Sequence, residues 1–147
     1  MSKNILADAN EIISRAHQLN ENSKCLWGSM TVSGMLYHGV ITNESIFNAG
    51  ASGKKRTLKQ MALKFLVYNI MGKLPKGVKG NPKFLPPLDS EKKIPEERDN
   101  YIRSVLQFTN ADKQLLGDHP VFGRLSTEDW RRFVYMHLDH HLRQFGV

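Results

Sequence analysis

The stretch that decides the fold is STEDWRRFVYMHLDHHLRQFGV, residues 126–147. Ser126 followed by three polar or acidic residues is a helix start, because a serine side chain caps free amide groups and acids favour the positive end of the helix dipole. Gly146 supplies the stop. Between them, His137 and His141 stand one helical turn apart, and residues four apart lie one above the other on a helix. The pattern therefore predicts an amphipathic helix that carries two histidines on one face.

The orientation of this last helix follows from its apolar side. At roughly 100° per residue, His137 and His141 fall within about 40° of each other, and His140 lies at the edge, about 60° from His137. The inner face also carries Trp130, Phe133, Val134 and Gln144, and the opposite face carries Arg132, Tyr135, Asp139 and Arg143. The helix thus offers His137 and His141 as ligands, with His140 as a weaker candidate.

The rest of the chain predicts four further helices and no strand. Apolar residues at helical spacing indicate helix one from Ile5 to Leu19, and a second helix begins after Ser29 or Thr31. Thr57 caps a third helix that ends at Gly72 and is predicted to be well buried, because its apolar residues lie nearly all round. The fourth helix contains Tyr101, Ile102, Val105, Leu106 and Phe108. The predicted class is all-α: one domain over residues 1–147, an antiparallel four-helix bundle with a long irregular connection and a short extra helix.

The irregular connection is Leu74 to Pro95. It contains five of the six prolines together with glycines and lysines, a composition that breaks regular structure. A connection of that length is unusual in a compact domain, so it is expected to form either an active-site cover or an interface.

Bulk properties narrow the function. The 147 residues are 40% hydrophobic and contain one cysteine, Cys25, which excludes an internal disulfide and a Cys-x-x-Cys site. No apolar run reaches the length of a membrane span and no signal core follows the first residues, so we expect a cytoplasmic protein with no membrane partner. The segment from Lys54 to Lys93 contains eleven Lys or Arg and two acids, a net charge of +9. Because the whole chain has a net charge of +7, the remaining residues together carry −2. A solvated basic loop is the favoured interpretation over nucleic-acid binding.

Metal binding by His137 and His141 needs a third ligand from another helix. His38 is preferred, because the face of helix two around it carries small residues that leave room for an ion; His17 and His119 are the other histidines outside the last helix. Three neutral imidazoles can hold Zn²⁺, Ni²⁺ or Fe²⁺ and leave coordination positions open. Packed histidines without a metal are the alternative interpretation.

Four short motifs carry a family resemblance: Leu26-Trp27-Gly28-Ser29-Met30, Met35-Leu36-Tyr37-His38, His119-Pro120-Val121-Phe122-Gly123, and His137 to Gly146. The chain resembles DinB-like proteins, the YfiT-type superfamily of metal-dependent enzymes, and is most similar to a bacterial branch of unknown function. The resemblance implies a four-helix bundle whose metal is held by His38, His137 and His141. For these imidazole ligands we expect Zn or Ni foremost, with Fe as a third choice. It makes His140 a neighbour of the site. Where the family usually has Gln one turn before the first ligand, this chain has Gly34.

The resemblance also frames the function. Relatives include transferases and isomerases that use low-molecular-weight thiols, and dimers are common among them, so we expect a small-molecule substrate and a homodimer. The candidate reactions are thiol transfer and hydrolysis; no carboxylate base falls on the inner faces, which favours transfer, and no catalytic residue is assigned. Gly34, His119, His140 and Gln144 are expected to contact substrate or support the ligands. The alternative is a non-catalytic binding bundle that has lost the metal chemistry.

Overall fold

The structure is a computed structural model that describes residues 2–85 and 93–147. Within these residues it is mostly helical, with five α-helices and a small antiparallel sheet of two strands. The helices are α1 Ile5–Ala16, α2 Val32–Asn48, α3 Leu58–Phe65, α4 Ile94–Leu106 and α5 Thr127–Gln144, and the strands are β1 Asp118–His119 and β2 Gly123–Arg124. A π-helical turn, Leu66–Met71, extends α3, and 3₁₀ turns occur at Pro82–Phe84 and Gln107–Thr109.

Local capping chemistry sets the helix ends. Thr31 accepts a hydrogen bond at 3.0 Å from the backbone of α2, Thr57 forms a capping box on α3, and Ser126 accepts at 3.0 Å from the backbone of α5. Gly72 ends the π-helical turn with φ of 64°, a left-handed conformation that favours glycine. The predicted caps Thr57 and Ser126 and the stop at Gly72 are confirmed, and Thr31 is the correct one of the two predicted starts for α2.

Four of the helices pack on one another. α1 packs against α4 and α5, and α2 packs against α4 and α5. The closest approach of α2 and α4 is at Gly39, where a Cβ atom would lie 2.5 Å from the ring of the fully buried Tyr101. The glycine therefore lets the aromatic ring of α4 lie directly on the backbone of α2, which carries His38.

The prediction that Tyr135 lies on the solvent side of α5 is wrong. Tyr135 is buried, and its hydroxyl donates to Glu11 at 2.9 Å. On the same side, Asp139 accepts from Arg15 at 2.9 Å. Both partners belong to α1, so α1 covers the side of α5 that a single-helix wheel leaves open, and polar contacts fill the interface.

The predicted burial of the third helix is also wrong. No residue of α3 is buried, and within the π-helical turn only Val67 and Tyr68 are. The Tyr68 hydroxyl donates to the backbone carbonyl of Asp129 at 3.0 Å, which fixes this segment to the start of α5. The other four α-helices contact one another, and α3 lies outside that group with an apolar side in solvent.

The connection after α3 is irregular from Leu74 to Leu85, as predicted, apart from the 3₁₀ turn. Its later part, residues 86–92, lies outside the described residues, and Ile94 and Pro95 belong to α4 instead, because proline is tolerated in the first turn of a helix. The two-residue strands do not fit the all-α prediction; they are too short to leave an alternating pattern in the sequence. None of the described helices combines the length and apolarity needed to cross a membrane.

Candidate metal centre

Three histidines from two helices meet at one point. α2 presents His38, and α5 presents His137 and His141 from consecutive turns, with one potential ligand nitrogen of each lying within 4.8 Å of the others. The ring centroids are 4.8–5.0 Å apart in all three pairs, and each pair is edge to face. The structure therefore brings together the three residues that were predicted as ligands. Among the described residues, the ligands of this possible metal site are three histidines, without a cysteine or a carboxylate.

The spacing of the nitrogen atoms suits a shared ion. Two imidazole nitrogens bound to one zinc at about 2.1 Å are roughly 3.0–3.4 Å apart in octahedral or tetrahedral geometry. The Nε2 atoms of His38 and His137 are 3.1 Å apart. This pair already has the separation that a common divalent ion requires.

The ring of His38 is oriented by a backbone carbonyl. Its Nδ1 lies 2.8 Å from the carbonyl oxygen of Phe84, which can only accept, so Nδ1 carries the proton and donates. Nε2 is left with its lone pair directed at the cluster. A carbonyl that fixes the tautomer of a ligand histidine in this way is a common supporting contact in metal sites.

The ring of His141 is oriented by Gln144, one turn later on α5. The side-chain nitrogen of Gln144 donates to the carbonyl of Trp27 at 3.0 Å, so its oxygen must face His141, whose Nδ1 lies 2.9 Å away. That nitrogen is therefore the protonated one, and Nε2 of His141 holds the lone pair. Gln144, expected to contact substrate or support the ligands, bonds the predicted ligand His141.

His137 is held mainly by packing. Its ring stacks on Phe133 at 5.7 Å between centroids and 11° between planes. Because His38 is protonated on Nδ1, the 3.1 Å contact requires His137 to donate from Nε2. Its buried Nδ1 has no hydrogen-bond partner among residues 2–85 and 93–147. Unpaired polar atoms of this kind are uncommon in protein interiors and cluster at functional sites.

Burial keeps the three rings uncharged. It lowers the pKa of His38, against the opposing effect of the Phe84 carbonyl, and it lowers the pKa of His141 to about 4. The pKa of His137 is lowered well below its ordinary value by burial and, secondarily, by the neighbouring histidines. Neutral imidazole is the form that binds metals, so none of the three rings has to lose a positive charge at neutral pH. To bind the shared ion through Nε2, His137 would move its proton from Nε2 to Nδ1.

The remaining predicted site residues lie around the cluster. His140 contacts His141 at 5.1 Å and Trp27 at 5.7 Å between ring centroids, and burial lowers its pKa. It is a neighbour of the cluster, as the resemblance implied. Gly34 is buried one turn before His38, with its backbone amide bonded to the cap of α2.

His119 has a structural position in the β1–β2 turn. Its Nδ1 accepts from the backbone amides of Val121 and Phe122 at 3.0 and 3.2 Å, and its ring stacks on Phe122 at 4.4 Å. Burial lowers the pKa of His119 to about 4. These contacts fix the β1–β2 turn, and His119 does not join the three-histidine cluster.

Three contacts at the site were missed by sequence reasoning. The carbonyls of Phe84 and Trp27 orient two of the histidines, and the Lys76 ammonium lies 4.2 Å from the centre of the Trp27 ring. Backbone carbonyls exist at every residue and leave no sequence signal. Phe84 and Lys76 belong to the irregular connection, so its described part lies against the site, in agreement with the predicted cover.

Comparison with known proteins yields one family. The sequence pattern of a family described as "Protein of unknown function (DUF1569)" matches residues 6–146, nearly the whole chain. No curated protein and no solved structure matches.

Proposed function

The chain belongs to the DUF1569 family of proteins of unknown function, and for this member we propose a metal-dependent enzyme of the DinB and YfiT type. In this proposal His38, His137 and His141 bind one divalent ion, and the protein acts on a small molecule. The observation that supports it is the convergence of three neutral imidazoles, one buried and two partly buried, two of them with their Nε2 lone pairs fixed by hydrogen bonds from Nδ1.

The proposed scaffold is an antiparallel four-helix bundle made of α1, α2, α4 and α5. The mutual packing of α1 and α2 against both α4 and α5 supports it. In such a bundle a metal site is built from side chains that facing helices direct into the core. Here α2 would contribute one ligand and α5 two.

The donor set favours Zn²⁺ or Ni²⁺, with Fe²⁺ as the third choice, because imidazole nitrogen suits all three ions. When bound, such an ion stabilises the thiolate form of a thiol or lowers the pKa of a water molecule. Three protein ligands leave positions open for one of these reactants. A site of this kind differs from a closed structural zinc site, which has four protein ligands.

Thiol transfer is the reaction that the surrounding residues favour over hydrolysis. Hydrolysis at such a site usually employs a carboxylate as general base, but the nearest carboxylate along α5, Asp139, is engaged by Arg15 and Arg143, both at 2.9 Å. Activation of a thiol needs no separate base of this type. The substrate would then be a low-molecular-weight thiol and an electrophilic partner molecule, in the cytoplasm, with the enzyme acting as a homodimer.

A thiol-binding experiment tests this proposal. The purified protein is loaded with Co²⁺, which substitutes for Zn²⁺ and has visible absorption, and is titrated with small thiols. The proposal predicts a thiolate-to-cobalt charge-transfer band in the wild type and none in His137→Ala. The matched control is His17→Ala, since His17 is exposed and outside the cluster.

The alternative is a non-catalytic binding or interaction bundle that has lost the metal chemistry, for which Gly34 and the engaged Asp139 are the supporting observations. A cobalt spectrum that every thiol leaves unchanged would favour this alternative. Absence of cobalt binding by the wild type would refute the enzyme proposal.

A further inference from the structure

The outward side of α3 and the following π-helical turn is an exposed apolar surface, which we call the α3 face. Its most prominent side chains are Leu58, Phe65 and Ile70, which are 81%, 59% and 67% exposed. Met61, Leu66 and Met71 add further exposed area at 36–42% each. The opposite side of the same segment packs on the protein through Val67 and Tyr68, so the segment has apolar side chains both toward the protein and toward solvent.

This surface is too large to be incidental. Taking roughly 200 Å² for a large apolar side chain, the six exposed fractions amount to about 650 Å². Isolated exposed apolar residues are normal, but contiguous patches above a few hundred Å² mark interaction sites. The area approaches the roughly 800 Å² that one partner contributes to a standard protein interface.

Along the sequence, the charged residues of this segment have a single sign. Residues 54–85 contain nine Lys or Arg and no Asp or Glu. Lys54 and Lys55 precede α3, Lys59 lies in its first turn and Lys73 follows the turn; all four are exposed. Lys64 is different, since it is paired with Asp129 at 2.6 Å. An apolar surface with exposed lysines at both ends fits a partner that is apolar inside and negatively charged at its surface.

The same charges argue against a second copy of the chain as the occupant. A symmetric contact through the α3 face would bring the exposed lysines of the two copies together. The α3 face is also convex, and it has few polar groups that could fix the orientation of a second copy. Asn69, the polar residue beside it, already donates to the carbonyl of Phe65. A partner protein would need a matching groove, whereas a lipid surface needs none.

We propose that the α3 face binds the surface of an anionic lipid bilayer. Leu58, Phe65 and Ile70 enter the boundary between headgroups and acyl chains, and the flanking lysines contact the phosphates, as in interfacial amphipathic helices. The segment lies on the membrane and does not span it, so the proposal agrees with the lack of a membrane-crossing helix among the described residues. It does replace the initial expectation that no membrane partner exists.

Vesicle co-sedimentation of the full chain tests the proposal. Vesicles of phosphatidylcholine alone are compared with vesicles that contain equal parts of phosphatidylserine. We expect binding to the anionic vesicles only, weakening with added salt. Lys59→Gln should lower the partition coefficient about fivefold, since one lysine near an anionic surface contributes about 1 kcal/mol.

The apolar contribution is tested with Phe65→Gln combined with Ile70→Gln. Both side chains are exposed, so the fold should be kept, and binding should be abolished. Leu106→Gln is the matched control, because Leu106 is 45% exposed on α4, and it should bind like the wild type. The proposal is overturned if the wild type ignores anionic vesicles, whether it elutes as a monomer or as a dimer that the double variant dissociates. It is equally overturned if Leu106→Gln loses binding to the same extent.

Discussion

Two substitutions of Gln144 can separate its contribution to metal affinity from its contribution to the stability of the fold. Gln144 accepts from His141 Nδ1 at 2.9 Å and donates to the Trp27 carbonyl at 3.0 Å. Gln144→Leu removes both bonds, and Gln144→Glu keeps only the acceptor. We therefore expect Gln144→Leu to weaken metal binding and Gln144→Glu to retain it.

The magnitudes follow from the two contacts. Loss of an outer contact to a ligand histidine costs 10–100-fold in metal affinity, or about 1.4–2.7 kcal/mol. Leaving the Trp27 carbonyl without its donor costs about 1–3 kcal/mol of the free energy of unfolding. Gln144→Leu should show both losses. Gln144→Glu should show the second loss, increased by repulsion between the carboxylate and that carbonyl, with metal affinity close to the wild type.

Two measurements resolve these effects. Competition with a chromophoric zinc chelator gives the affinity, and urea unfolding of the metal-free protein gives the stability. If Gln144→Leu binds zinc as tightly as the wild type, the inference that Gln144 fixes the tautomer of His141 is refuted. If Gln144→Glu loses affinity as strongly as Gln144→Leu, the separation of the two roles is refuted.

Three further predictions concern pH and packing. Because burial lowers the pKa of His119 from 6.5 to about 4, the unfolded chain takes up this proton first as the pH falls. The free energy of unfolding of the metal-free protein, measured with urea, should therefore fall by up to about 3 kcal/mol between pH 6.5 and 4 through this residue. His119→Asn should flatten that decline. Gly39→Ala places a Cβ 2.5 Å from the Tyr101 ring and should cost about 1–3 kcal/mol by chemical denaturation, whereas Gly50→Ala, with nothing within 4 Å, should not. Ser126→Ala removes the cap of α5 and should cost about 1 kcal/mol, seen as a lower urea midpoint.

Each of these three has a contradicting result. A stability profile of His119→Asn that parallels the wild type would exclude the histidine as the source of acid sensitivity. Equal stability of the Gly39 and Gly50 variants would mean that the α2–α4 approach is not tight. An unchanged midpoint for Ser126→Ala would mean that the helix start is fixed by other contacts.

The helix starts and the histidine cluster were accessible from the sequence because both depend on local patterns. Thr57 and Ser126 cap their helices through bonds to residues three positions away, and the i, i+4 spacing places His137 and His141 on one face. His38 was accessible for a related reason, since small residues beside it on the helix leave room for neighbours. Within an element, sequence spacing and spatial proximity coincide.

The errors concern contacts between elements. The apolar pattern of α3 is consistent with burial on any side, and the sequence does not say that the other four helices pack without it. Tyr135 was assigned to solvent because the wheel of one helix cannot include α1 on its other side. The carbonyls of Phe84 and Trp27 reach the histidines from distant segments, and their positions depend on the complete fold.

The central claim is that His38, His137 and His141 hold one divalent ion. The most direct measurement is elemental analysis of protein loaded with Zn²⁺ or Ni²⁺ and then freed of loose metal by gel filtration, for the wild type and for alanine variants of each histidine. One ion per chain is expected in the wild type and in His17→Ala, and almost none in the three ligand variants. A wild type that retains no stoichiometric metal, or a His137→Ala variant that retains it fully, would contradict the account.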